Sequence, residues 1–221
     1  VRRRHLRPRG LAAAAIALVG LVAATLLVRQ GLRGDGAVAA GPPTPGIGTT
    51  LPKQQGTATV SALPRSAPVR LEVPRIGVRT PLMRLAKNAD QTVETPPLER
   101  AQEAGWYRLG AAPGSRGAAV IIGHVDSARG PAVFYRLGEL RPGHLASVLR
   151  SDGRTAVFRI DAVERVAKNR FPTRRVYQDP GYAAIRLITC GGRFDRASGH
   201  YDDNVIAYGH LVRASGTGRA A

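Results

Sequence analysis

From Val69 to Val212 the apolar residues come in short runs, each closed by turn residues, and none sustains a helical period over a long stretch. The runs are VRLEVP (69–74), AAVIIGH (118–124), ASVLR (146–150), AVFRIDAV (156–163), IRLITC (185–190) and NVIAYGHLV (204–212). Runs of this length read as strands. Ser151-Asp152-Gly153 stands between two of them as a hairpin signal, because Asp and Gly tolerate positive φ. Only Pro97–Ala104 and Gly130–Leu140 offer room for helical turns. The 26 glycines and 16 prolines, set against few aromatics, likewise oppose a helical bundle. The expected body is an all-β barrel or sandwich of about seven or eight strands.

What precedes this body has a different texture. Residues 1–10, VRRRHLRPRG, are strongly basic, and residues 11–28, LAAAAIALVGLVAATLLV, carry no charge. Eighteen apolar residues are just enough to span a bilayer as a helix, and Arg29 and Arg33 close the far side. The arginines ahead of the span predict a cytoplasmic N-terminus and an exported body, that is, a single-pass protein of the cell membrane. A cleaved signal peptide is the alternative, with Ala37-Val38-Ala39 as the cleavage site, but that site lies well beyond the apolar run. Residues 29–67 are rich in Pro, Gly, Ser and Thr without hydrophobic period, and are expected to form a disordered tether. The folded body is expected over 68–213, and 214–221 as a frayed tail.

The formal net charge is +18. GC-rich codons, which favour Arg, Ala and Gly, produce such a balance by themselves; a polyanionic partner or an anionic surface is the functional reading. A nucleic-acid partner fits poorly, since the body is exported and no binding motif is present. The single cysteine, Cys190, excludes an internal disulfide framework and multi-cysteine zinc sites. The commoner fate of a lone cysteine is burial as a small hydrophobe. Its context argues otherwise.

His124 and Cys190 each end a strand-like run, where a rigid scaffold presents its last side chain at a rim. A thiol attacks as the thiolate, and a nearby imidazole can take its proton and later return it to a leaving amine. A Cys–His pair is therefore sufficient for acyl transfer. Gly191 and Gly192 follow the thiol and are expected to let a substrate backbone approach. A papain-type arrangement is disfavoured, because His124 precedes Cys190 in the chain. Asp126 and Ser127 either orient the imidazole or form an Asx-type turn; His144, His200 and His210 are expected to be structural or exposed, and Trp106 and Tyr107 to pack in the core or line a groove. No ligand spacing supports a metal or another cofactor, including zinc on His124, Cys190 and His200, and no acidic cluster suggests calcium.

The strings GHVDS, GPAVFYRLGEL, LITCGGRFD and GHYDDNVIAYGHL are more specific than any single pair. With PRIGV (74–78), GWY (105–107), FPT (171–173) and the L-x-T-C signature Leu187-Ile188-Thr189-Cys190, they resemble the sortases, and among these the class F group of high-GC Gram-positive bacteria. The resemblance runs from about Val69 to Val212. It implies an eight-stranded sortase-type β-barrel with short helical turns, and a cysteine transpeptidase. Such an enzyme cleaves an LPxTG-like sorting signal of a surface protein through a thioester, then passes the acyl part to an amine, typically of a peptidoglycan precursor. Cys190 falls on the family's nucleophile and His124 on its acid/base. The family's arginine, which hydrogen-bonds substrate and oxyanion, has no counterpart in Tyr201-Asp202-Asp203-Asn204-Val205. Arg196 and Asn204 are the candidates for that role; Arg193 is a weaker one. A related cysteine hydrolase, with water as acceptor, and a non-catalytic wall-binding module are the competing readings.

Overall fold

The computed structural model describes residues 42–43 and 60–216. Ten strands lie within them: β1 (Pro68–Val73), β2 (Val78–Leu85), β3 (Ala104–Tyr107), β4 (Gly117–Ile122), β5 (Asp126–Ser127), β6 (Gly130–Pro131), β7 (Leu145–Arg150), β8 (Thr155–Ala167), β9 (Ala183–Asp195) and β10 (His200–Ser215). Eight of them close a barrel in the order β1-β2-β3-β4-β9-β10-β8-β7, and β5 pairs with β6 as a small separate hairpin. Closure leaves no open sheet edge among these strands. The pairs are antiparallel except β2–β3 and β4–β9.

Side-chain alternation divides the residues between two apolar clusters. Ile121, Phe158, Ile160, Ile185, Leu187, Val205 and Ala207 point into the barrel with Leu71, Val73 and Phe134. The opposite face of β4, β9 and β10 is apolar too: Val120, Ile188, Ile206 and Tyr208 pack with Tyr107 and Val176. Val176 belongs to the five-residue helix Thr173–Tyr177, which lies in the β8–β9 connection over this outer face. A strip buried on both faces explains why IRLITC and AAVIIGH read as nearly continuous apolar runs.

Several elements differ from the sequence reading. The runs underestimate β9 and β10, which extend as a paired ribbon to Asp195 and from His200. Their polar ends are held by ladder hydrogen bonds, which hydropathy does not register. Strands β2 and β3 escaped notice, since VRTPLMRL carries an internal proline and AGWY is only four residues long. Pro97–Ala104 holds a single 3₁₀ turn at Leu98–Arg100, and Gly130–Leu140 another at Leu137–Glu139. The hairpin at Ser151-Asp152-Gly153 is present, with Gly153 at φ 77°. There the Asp152 carboxylate accepts from the Arg154 backbone N–H (3.1 Å) and from the Arg150 guanidinium (2.8 Å).

The last residues read as tether lie against the barrel. Leu63 N–H donates to Gly114 O (2.8 Å), and the Arg65 guanidinium donates to Gly110 O (2.9 Å) and Arg108 O (2.7 Å) while stacking over the Trp106 ring. Buried Arg150 donates to Pro64 O and Pro113 O, both at 2.6 Å. Polar backbone anchors of this kind carry no hydrophobic period, so composition alone marked the segment as unstructured. Ala214 and Ser215, read as the start of the tail, pair with Ala156 and Thr155 of β8. No helix among the described residues is long and apolar enough to cross a membrane; the expected span at 11–28 lies outside them.

Candidate active site

The outer strip of β4, β9, β10 and β8 is a set of rows, each crossing the strands at a fixed register. Val120, Arg186, Tyr208 and Ala162 form one row; Ile122, Ile188, Ile206 and Glu164 form the next. One step further along the strands come Cys190, Asn204 and Val166. On the β4 side this third row continues beyond the strand's end, because Gly123 N–H still donates to Ile188 O (3.1 Å). Continued by two residues from Ile122, the same register brings His124 level with Cys190 and gives it the parity of the outer face. The two runs noted in the sequence end at the same level because β4 and β9 are parallel neighbours.

His124 is held from two sides. Phe134 N–H donates to its carbonyl (3.0 Å), and its imidazole Nε2–H donates to Pro96 O (2.6 Å) in the β2–β3 connection. A carbonyl can only accept, so Nε2 carries a hydrogen, and in the neutral ring Nδ1 is the basic nitrogen. Gly123 permits the close approach of the 130–134 segment, since a Cβ there would meet Val133 and Phe134 side chains at 2.6 and 2.7 Å.

Cys190 is half-buried. Burial pushes its thiol above the ordinary value; the positive charge of Lys168 opposes this, and the negative charge of Asp126 adds to it. Lys168 opens the 3₁₀ turn Lys168–Arg170 that follows β8 directly. Asp126 accepts a short hydrogen bond from the Tyr201 hydroxyl. Burial first, then this bond and the charge of Asp126, hold the phenol of Tyr201 well above its ordinary range. Asp126 thus serves Tyr201 and biases the thiol, whereas the Ser127 hydroxyl accepts from Arg129 N–H (3.2 Å) and closes a turn.

The glycines after the thiol have a different use from the one expected. The register of β9 against β10 shifts between Gly191 and Phe194, a β-bulge with Gly192 at φ 81°. A Cβ on Gly191 would press on Val205 at 2.7 Å, and one on Gly192 would meet the Asp203 carboxylate at 2.5 Å. Both positions are filled by neighbouring side chains rather than open to a substrate backbone. The bulge carries the ribbon on to Phe194 and Tyr201, whose rings meet edge to face.

Of the residues singled out in the sequence, the ladder pairs Cys190 with Asn204, and the continued register of β4 carries His124 to their level. Arg196 lies in the turn between β9 and β10, past Asp195. Asp195 is itself five residues beyond Cys190, roughly 16 Å along an extended strand. Arg193 pairs with Asp202 (3.4 Å) on the exposed ribbon. His144 accepts from Arg141 N–H (3.0 Å) at a turn, His210 pairs with Asp161, and His200 is exposed at the start of β10. Trp106 is buried, its indole N–H on Ala111 O (2.9 Å). Lys168 and Tyr201 escaped the sequence reading; the signal for Lys168 is cross-strand register, which one sequence does not display. Among the described residues, no group of three or more His, Cys, Asp or Glu side chains is arranged to hold a metal ion.

A family model for the sortase domain matches residues 71–212. Solved structures with this fold include a lid mutant of sortase A from Corynebacterium diphtheriae, 22% identical, with a TM-score of 0.53 over 68% of this chain and 73% of that one. Sortase A from Listeria monocytogenes is 14% identical, with a TM-score of 0.51 over 68% of this chain and 90% of that one. Sortase C from Streptococcus pneumoniae is 18% identical, with a TM-score of 0.50 over 65% of each chain. Among curated proteins none matches the chain in sequence.

Proposed function

The chain belongs to the sortase family, and from that premise we propose that it is a class F cysteine transpeptidase acting on LPxTG-like sorting signals. The observation that carries this reading is the row of His124, Cys190 and Asn204 at the end of an otherwise buried strip. A thiol at the last row is half-exposed on a rigid floor, and the register of β4 carries His124 to its level. The class F subtype rests on the strings LITCGGRFD and GHYDDNVIAYGHL.

In this reading the Cys190 thiol gives its proton to Nδ1 of His124, and the sulfur attacks the carbonyl carbon of the scissile Thr–Gly bond. The C–S bond forms as the carbonyl π pair moves to oxygen. Collapse of this intermediate restores the carbonyl and breaks the C–N bond, and the departing amine takes the proton from His124. An incoming amine then attacks the thioester, loses a proton to His124, and the sulfur leaves and recovers it. The Asn204 amide lies opposite Cys190 and can donate to the oxyanion. The uncharged run 11–28 behind an arginine cluster supports a membrane anchor, with the barrel outside the cell near wall precursors that supply the amine.

A quenched LPxTG-type peptide offered with and without a small amine acceptor tests the proposal. Transpeptidation predicts cleavage with a ligated product when the amine is present. Hydrolysed product alone identifies a hydrolase, and absence of cleavage across a panel of sorting motifs removes the catalytic reading.

A further inference from the structure

The imidazole of His124 and the main chain behind it share one support, the β2–β3 connection. Phe134 N–H donates to His124 O (3.0 Å), and Ala132 N–H to Val125 O (3.0 Å), which binds segment 131–134 to the residues around the histidine. The same segment is bound to the connection: Val133 N–H donates to Ala101 O (3.1 Å), and the Gln102 side-chain amide to Pro131 O (2.7 Å). The ring is held by the connection directly, through Pro96 O on Nε2–H at 2.6 Å.

The direction of the Pro96 carbonyl is set from both sides. Its own ring fixes φ, and Pro97 after it confines ψ to extended values, so little freedom is left to lose on folding. Pro97 is itself extended (φ −59°, ψ 143°), and its carbonyl accepts from Arg100 N–H (2.9 Å) in the 3₁₀ turn. Two residues ahead of Pro96, Glu94 is tied to Ala86 at the end of β2. Its backbone N–H donates to Ala86 O (3.1 Å), and its carboxylate accepts from Ala86 N–H (2.6 Å). Pro96 is buried, a setting in which a hydrogen bond is stronger than in water.

We propose that Pro96 is the positioning residue of the acid/base, the third group that orients it, with Pro97 and Glu94 holding its carbonyl on the Nε2–H of His124. Asp126, the carboxylate nearest to His124 in sequence, accepts from the Tyr201 hydroxyl instead. A carbonyl accepts from Nε2–H in the neutral and the charged ring alike, so the imidazole keeps its orientation while Nδ1 gains and loses a proton. When the imidazolium forms, the bond becomes charge-assisted and roughly twice as strong. That gain appears only as the proton moves, so it favours the transition state over the ground state. The role in turnover rests on the transpeptidase reading; the held ring is a property of the free protein.

The test is the ring N–H signal of His124 in the full chain, labelled with nitrogen-15 in its histidines, with His124→Gln identifying the resonance. An exposed ring proton is lost to rapid exchange with water, whereas one held on a buried carbonyl persists. The parent is expected to show a persistent proton on Nε2 and none on Nδ1. Glu94→Ala and Pro97→Gly are expected to lose it, and Glu94→Gln, which keeps an acceptor for Ala86 N–H, to retain it. Both positions lie outside the barrel strands and the core, so neither change empties it. No signal in the parent, or a proton on Nδ1, overturns the proposal without any variant. Cleavage of an LPxTG-type peptide by the same proteins reads the catalytic half: kcat falls roughly tenfold in Glu94→Ala and Pro97→Gly at unchanged KM, and recovers in Glu94→Gln. A lost signal with undiminished kcat, or a lowered kcat with the signal intact, overturns the positioning role. A persistent Nε2 proton in a parent that cleaves no peptide removes the transpeptidase reading and leaves the held ring standing.

Discussion

Two polar clusters sit on the same outer face of β8, β9 and β10, in neighbouring rows, and they are built on opposite terms. In the first, Glu164 accepts from both the Tyr208 hydroxyl and the Arg175 guanidinium, while the Arg175 and Arg186 guanidinium groups lie over the Tyr208 ring at 5.2 and 4.8 Å. Arg186 is buried, which holds its guanidinium below the ordinary range, and it still finds Ile185 O (2.9 Å) and Arg175 O (3.3 Å). Every charge there is answered by a partner, so the cluster fixes the β8–β9 connection on the barrel. In the second, the thiol is half-buried, one neighbour favours its anion and another opposes it. The same strands make a saturated or an open cluster according to whether the row is covered. Rows under the helix Thr173–Tyr177 are saturated; the row past its edge is left half-exposed.

The largest expected effect breaks the comparison at its reactive end. Cys190→Ala lowers peptide cleavage by at least roughly ten-thousand-fold, to background, with no change in the thermal unfolding midpoint. A variant that retains measurable turnover removes Cys190 from the chemistry. At the structural end, Glu164→Gln leaves the part-exposed Arg175–Tyr208 contact short of its anion and costs about 1 kcal/mol, read from the urea midpoint. The Cys190 alkylation profile stays where it was; if that profile moves with the midpoint, the two clusters are one network and the contrast fails.

The pH dependence sharpens the comparison further. Burial raises the thiol, so the neutral form dominates at neutral pH, and alkylation of the parent rises steadily as the solution becomes alkaline. Asp126→Asn removes the opposing negative charge and moves the profile to lower pH, by about half to one unit. An upward shift in that variant would mean that Asp126 acts through His124 instead. Tyr201→Phe is the smallest change: it frees the Asp126 carboxylate from its phenol partner, and the profile moves by no more than about half a unit.

The sequence was most legible where hydrophobic alternation and chemistry coincide. VIIGH and LITC end in polar residues at the rim of a strip buried on both faces, and their family strings reached the same two positions. Legibility stopped where partners depend on register. Nothing in the order Val166-Ala167-Lys168 tells that Val166 faces Asn204, so Lys168 drew no reading. Glycines 191 and 192 were visible, but their reason is the bulge opposite Asp203, which only the ladder reveals. Strand β3 was hidden by its length, and residues 60–67 by anchors made of backbone carbonyls.

The central claim is that a thioester forms on Cys190, and intact-protein mass spectrometry tests it most directly. The full chain is mixed with an LPxTG-type peptide in the absence of any amine acceptor and quenched in acid. The account predicts a mass increase equal to the peptide's acyl part, located on the fragment that contains Cys190, discharged by hydroxylamine and missing from Cys190→Ala. Cleavage of the peptide without any adduct on that fragment, or an adduct that persists in Cys190→Ala, contradicts it.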